Sequence, residues 1–217
     1  MKKLSVILAA LSVLALSGCA TKPRAYDYSA LKQSNPRSIL VVMPVNHSPD
    51  VKGASSVLAQ ATVPLAEKGY YVFPVALVDE MFRQNGLHNG HDIQNAPIHK
   101  IREVFGADAI MYLDVEDYGS RYQLLNSTTT VVLRGRLLDL RTGNTLWEGS
   151  ARAASGSGNS GTLIGALVSA AATQIIDTVS DRGYEVAGIA TANLVNHGSR
   201  GGLLPGPYHP AYQQSRR

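Results

Sequence analysis

Apolar and polar positions change period several times along this chain, and each change predicts an element. Leu4 to Leu16 is an almost unbroken apolar run, preceded by Lys2 and Lys3 and followed by the small residues Ser17 and Gly18. That order predicts a secretory signal peptide over residues 1–18. The run is shorter than the ~20 residues that a bilayer span needs. Residues 19–36 are polar, include Pro23 and Pro36 and carry neither helical nor strand period, which predicts a tether. Ser38-Ile39-Leu40-Val41-Val42-Met43-Pro44 is continuous and largely β-branched, the pattern of a strand covered on both faces. Asn46 to Asp50 reads as a loop. Ser55 or Ser56 is placed to cap a helix running to about Lys68, with Val57, Ala61 and Leu65 on its apolar face. Pro64 falls inside it and predicts a kink or a restart.

Tyr70-Tyr71-Val72-Phe73 predicts a second strand, and strand–helix–strand at this spacing is a βαβ unit with parallel strands. Helices are expected over Val75–Gln84 and Pro97–Phe105. Strands are expected over Asp108–Tyr118 and Thr128–Asp139. Arg141-Thr142-Gly143-Asn144 is a turn, and Thr145–Ala151 returns from it as a hairpin partner. Ser155 to Gly161 reads as a flexible loop, followed by a long helix from about Thr162 to Arg182. Its small residues Gly161, Gly165, Ser169 and Thr173 recur every four positions. The fold class is therefore α/β: a mixed β-sheet of about five strands with a βαβ unit, a C-terminal β-hairpin and packing helices. One domain is expected over 37–183, followed by a Gly/Pro/Tyr-rich extension over 184–217. Leu203-Leu204-Pro205-Gly206-Pro207-Tyr208-His209-Pro210-Ala211-Tyr212 cannot continue a helix or a sheet. Disorder is one reading of it. The other is an extended segment docked on a surface, the domain's own or a partner's, with Tyr208, His209 and Tyr212 as contact residues.

Charge changes the picture little. Without residues 1–18 the chain has 18 basic and 16 acidic side chains, so +4 becomes +2. No run of Lys or Arg concentrates that charge, and no nucleic-acid footprint is expected.

Cysteine content changes it more. Cys19 is the only cysteine and directly follows Leu16-Ser17-Gly18. Leu-Ser-Gly-Cys is a lipobox, in which the thiol accepts the lipid and becomes the new N-terminus. The sequence here resembles Gram-negative lipoproteins. In that group an aspartate after the cysteine commonly retains the protein in the inner membrane, and Ala20 in its place implies the outer membrane. An acylated Cys19 would anchor the chain firmly, each buried methylene contributing about 0.8 kcal/mol.

The search for catalytic chemistry turns up little. Gly156 and Gly161 frame a P-loop-like span, but Thr162 stands where the phosphate-binding Lys belongs. There is no Gly-x-Ser-x-Gly elbow. His88, His91 and Asp92 offer three metal-ligand types in a Gly/Asn-rich loop, and the competing reading is solvated loop histidines. Asp114 and Glu116 share a strand face with Asp117 on the other, which reads as strand-end charge. No cofactor is expected.

The βαβ unit, the Gly69-Tyr-Tyr-Val-Phe-Pro74 passage, the Ala107-Asp108-Ala109 strand and the hairpin turning at Asp139-Leu-Arg-Thr-Gly143 and returning through Leu146-Trp147 resemble the TolB amino-terminal domain and the lipoprotein CsgG. From the lipobox to Gly206-Pro-Tyr-His-Pro210 the chain also resembles a family of bacterial lipoproteins that includes a meningococcal surface-antigen candidate. Its members tend to be encoded beside a CsgG-like lipoprotein. The resemblance implies partners among such envelope lipoproteins, with homo-oligomers open, and brings no activity with it. Two functions of different class follow. One is an outer-membrane, non-enzymatic adaptor or assembly factor. The other is a metal-dependent envelope hydrolase using the His88/His91 loop.

Overall fold

The computed structural model describes residues 26–123, 126–155, 179–199 and 201–215. The signal peptide, Cys19, the P-loop-like span and the 162–178 part of the expected helix lie outside these residues. Along the chain come α1 (Ser29–Ser34), β1 (Ser38–Val41), β2 (Val45–Asn46), α2 (Gly53–Glu67), β3 (Tyr71–Val72), α3 (Val75–Gln84), α4 (Gly90–Gln94) and α5 (Ile98–Phe105). Then follow β4 (Ala109–Gln123), β5 (Asn126–Asp139), β6 (Thr145–Ala154), α6 (Val179–His197) and α7 (Tyr212–Ser215).

The sheet is mixed and ordered β3-β1-β4-β5-β6, with β2 pairing separately to β4. β1 runs parallel to both β3 and β4, and β1-α2-β3 is the expected βαβ unit. β4 to β6 form an antiparallel meander, with Leu137 opposite Trp147 in the closing hairpin. β1 is an interior strand, and its residues alternate between two cores. Ile39 and Val41 join the cluster under α2 and α6, while Leu40 and Val42 join the one under α3, α4 and α5. A continuous apolar run is what such a doubly covered strand requires.

Several local expectations are corrected. α2 begins at Gly53, two residues before the expected serine cap, because the Asp50 side chain accepts from the Lys52 N–H at 2.9 Å and turns the chain early. α2 also continues through Pro64 without a restart. Pro64 deprives the Gln60 carbonyl of its intrahelical donor, and the Thr191 hydroxyl of α6 stands 3.5 Å from that oxygen. Part of the His88–Asp92 loop is the helix α4, capped by the Asn89 side chain, which accepts from the Asp92 N–H. Within the expected tether lies α1, whose buried face is a single residue, Leu31. Six residues with one apolar contact display no period.

The composition shift at Gly183 does not end the helix, which runs to His197 and packs on α2, β5 and β6. Val186, Ala187, Ala190, Leu194 and Val195 bury its inner face. Core residues therefore lie on both sides of the expected domain limits, Leu31 before residue 37 and Leu194 and Leu203 after residue 183. None of the described helices is long and apolar enough to cross a membrane.

Candidate functional site

The segments before β1 and after α6 interlock. The Tyr26 hydroxyl accepts from the Glu148 N–H at 2.9 Å, on the open edge of β6. Ser199 occupies the same edge, its N–H donating to the Ser150 carbonyl at 2.9 Å. Both segments thereby satisfy backbone groups that an edge strand leaves unpaired. Tyr26 and Tyr28 pack ring on ring at 4.7 Å. The Tyr28 hydroxyl donates to the Gly202 carbonyl at 2.5 Å, and the indole N–H of buried Trp147 donates to the Gly201 carbonyl at 3.1 Å. Burial, with Tyr26 beside it, raises the Tyr28 phenol above its ordinary range.

From there the chain crosses back over the domain. Leu203 is fully buried and its N–H donates to the Val195 carbonyl. Leu204 O accepts from the Tyr70 hydroxyl at 2.9 Å. The N–H groups of Gly206 and Tyr208 donate to the carbonyls of Lys68 and Gly69 at 2.7 and 3.0 Å. The Tyr212 hydroxyl donates to Asn35 Oδ1 at 2.6 Å. Residues 203–212 thus lie on the turn between α2 and β3 and on the end of α1. A small cleft lined by Lys32, Asn35, Tyr70, Pro207 and Tyr212 marks this seam.

Next to the seam two tyrosines face outward, and a third ring, Phe73, is half-buried against the second core. Tyr208 is 60% exposed, and the Arg37 guanidinium stands 5.9 Å over its ring, with Nη2 donating to its hydroxyl at 3.4 Å. Arg37 O accepts from the N–H of Tyr71, which is 53% exposed on the edge strand β3. Tyr71 in turn meets Phe73 edge-on at 5.2 Å. Tyrosine and arginine are among the side chains that carry most energy in protein interfaces, tyrosine because it offers large contact with few rotors and arginine through its planar fork of donors. Here they are held on a strand edge and a docked segment.

Below this cluster Asp139 ties the end of β5 to α1. Burial alone would raise its carboxyl. The Arg141 side chain, the Ser34 hydroxyl and the N–H groups of Arg141 and Thr142 all donate to it, outweigh burial and hold it at about 2. Arg141 completes the tie by donating to the Ser34 carbonyl at 3.1 Å. This is a structural hub, with both oxygens committed to Arg141, to the Thr142 N–H or to the Ser34 hydroxyl.

The family model for GNA1162-like lipoproteins matches residues 26–208, from the tyrosine on the β6 edge to the tyrosine under Arg37. The chain belongs to the GNA1162-like lipoprotein family. A lipoprotein of Neisseria meningitidis serogroup B is 50% identical over 204 residues, covering 93% of this chain and 95% of that one. The crystal structure of lipoprotein GNA1162 from Neisseria meningitidis, at 50% identity, covers 66% of this chain and 100% of its own, with a TM-score of 0.55. The PelC dodecamer from Paraburkholderia phytofirmans is a remoter likeness, at 13% identity over 80% of this chain and 95% of that one. Its TM-score of 0.45 is too low for a shared assembly to be read from it. A membrane-anchored place in the envelope goes with the GNA1162-like family.

In this GNA1162-like fold the remaining sequence-predicted residues are dispersed. His88 is an exposed residue ahead of α4. His91 lies edge-on to His47 at 6.0 Å, and Asp92 accepts from the Asn89 side chain at 2.7 Å. Among the described residues no three such side chains converge on a metal position. Asp114 accepts from the Gln94 side chain, and Glu116, at a bulge in β4, pairs with Arg134 at 3.2 Å. Tyr208, His209 and Tyr212 are placed together on the domain's own surface. Sequence reasoning missed Arg37 and Tyr71. Arg37 stands just before the expected first strand and Tyr71 inside the expected second one, and neither pattern announces the returning tail that sets Tyr208 under Arg37.

Proposed function

We propose that this chain is an outer-membrane lipoprotein, acylated at Cys19, that acts as a non-enzymatic adaptor or assembly factor for other envelope lipoproteins, a CsgG-like export component among them. The observation that carries the reading is a pair of exposed tyrosines beside the β3 edge, Tyr208 under the Arg37 guanidinium and Tyr71 on β3 itself. Tyr208 comes from a tail that is hydrogen-bonded to the domain on either side of it. The lipobox and the lipoprotein family support the anchor. The side chains with most chemical potential support an adaptor in a different way: His91, Asp92, Asp114, Glu116 and Asp139 each hold a local structural contact.

Site-specific photo-crosslinkers at Tyr71 and Tyr208 in intact cells test the reading. The expected result is one lipoprotein partner captured from both positions and not from Val104 on α5. Failure to crosslink from either position, or equal capture from Val104, would sink it. The anchor is tested separately. A Cys19→Ser chain that still incorporates labelled palmitate and still sediments with membranes refutes acylation at Cys19.

A further inference from the structure

We propose that the partner lipoprotein presents one extended segment, which adds to the open edge of β3 as a further strand and pairs with the main chain of Val72. The inference rests on the adaptor reading above and deepens it by stating what kind of segment the tyrosine pair receives.

The first observation is where backbone groups point. β3 is the last strand on its side of the sheet, beyond β1. The Tyr71 N–H donates to the Arg37 carbonyl at 2.9 Å and the Phe73 N–H to the Ile39 carbonyl at 3.3 Å. Backbone groups of successive strand residues alternate in direction, so the N–H and C=O of Val72, between these two, point away from β1. Among the described residues none hydrogen-bonds to either group.

The second observation is that the chain meets other open backbone groups itself. The Tyr26 hydroxyl and the Ser199 N–H take up groups on the β6 edge. On the approach to β3, the N–H groups of Gly206 and Tyr208 take the carbonyls of Lys68 and Gly69. The tail then turns off toward Asn35, where the Tyr212 hydroxyl donates, and stops short of Val72. The β3 edge carries no Lys and no bulge to turn a strand away. An outward N–H beside an outward C=O is best matched by another backbone.

The third observation is what flanks Val72. Two main-chain hydrogen bonds hold a strand poorly by themselves. Tyr71 and Tyr208, 53% and 60% exposed, offer ring surface on either side. Tyr208 is hydrogen-bonded to Gly69, which precedes Val72 by three residues, about 10 Å of strand. An extended segment of about four residues therefore reaches from Val72 to the Tyr208 ring. A second copy of this chain, edge to edge, would bring only its own two-residue β3. The longer reach favours a segment of another protein.

The test uses the full acylated chain in intact cells, with the photo-crosslinker at Tyr208. Val72→Pro removes the outward N–H and sets a ring on the edge, while the bonds of Tyr71 and Phe73 to the β1 side stay possible. Val72→Thr keeps both the N–H and the branched shape. Capture of the partner should fall about tenfold or more in Val72→Pro, the loss expected from main-chain hydrogen bonds of this number, and should hold in Val72→Thr. Capture that persists in Val72→Pro, or falls equally in Val72→Thr, overturns the proposal and leaves the adaptor reading standing. Capture of a second copy of this chain overturns the choice of occupant. Absence of capture without either substitution sinks the adaptor reading and this inference with it. Should Val72→Pro fold poorly, amide exchange at Val72 is compared between the free protein and the crosslinked complex with Val72 intact. Several-fold slower exchange in the complex is expected, and equal exchange overturns the proposal.

Discussion

At the scale of single residues, Asp139 shows how a buried carboxylate earns its place. Its donors hold it at about 2 in the fold, against an ordinary value near 4 in the unfolded chain. The folded-state pKa is depressed, so the stabilisation is fully present above pH ~4 and is lost as pH falls toward 2, a contribution on the order of 2 kcal/mol. Urea unfolding across that range should show the loss, and Asp139→Asn should flatten this part of the profile. A profile unchanged in the variant would assign the pH dependence elsewhere. Gly69 makes a second residue-scale case. It has φ +80°, and a Cβ there would stand 2.2 Å from the His209 nitrogen. Gly86 has the same φ with nothing within 4 Å. Gly69→Ala and Gly86→Ala therefore share the backbone strain of about 1 kcal/mol, but only the first should open residues 203–212 to protease. Equal resistance in the two variants would mean that the tail does not press on Gly69. Neither effect was legible in the sequence, where Asp139 reads as the start of a hairpin turn and Gly69 as the stop of a helix. Their roles come from Ser34 and His209, each more than a hundred positions away in the chain.

Elements were legible wherever the chain had to satisfy one strong constraint over several residues. β1 is the best case, because a run apolar at every position has no stable place except between two cores. Val41, fully buried, should not tolerate a charge. Val41→Asp is expected to cost several kcal/mol, and an unaltered melting temperature would remove β1 from the centre of the sheet. α3 also stands where its pattern put it, from Val75 to Gln84. α6 was harder to read. Its inner face is built from Ala187, Ala190 and Thr191 as much as from Leu194, so that the helical spacing from Val186 to Val195 is present but faint beside Gly188 and Asn193. Small residues fit because α2 and the sheet lie close. The large side chain among them should matter most: Leu194→Ala is expected to cost about 2–5 kcal/mol in chemical denaturation. A cost below ~1 kcal/mol would mean that α6 packs loosely. α1 shows the opposite limit. It is held by what its ends bond, Tyr28 to Gly202 and Ser34 to Asp139, and no pattern within six residues announces that.

For the whole molecule, the sequence marks both terminal regions as outside the domain, because composition there favours neither helix nor sheet. Composition reports what a segment can do by itself. It is silent on backbone groups that an edge strand or a turn leaves open for another segment to meet, and here Tyr26, Ser199, Gly206 and Tyr208 meet four of them. A chain ending after His197 should therefore lose several kcal/mol of stability, since it uncovers the site of Leu203 and removes the acceptor of the Tyr28 hydroxyl. Trp147 makes that loss visible without any label. It is the single tryptophan of the chain, is wholly buried, and its indole N–H ends on Gly201. Tryptophan emission is thus an optical gauge of the tail: short-wavelength while residues 201–206 are seated, with a red shift and collisional quenching by iodide as soon as they lift, before the larger change that unfolding of the sheet brings.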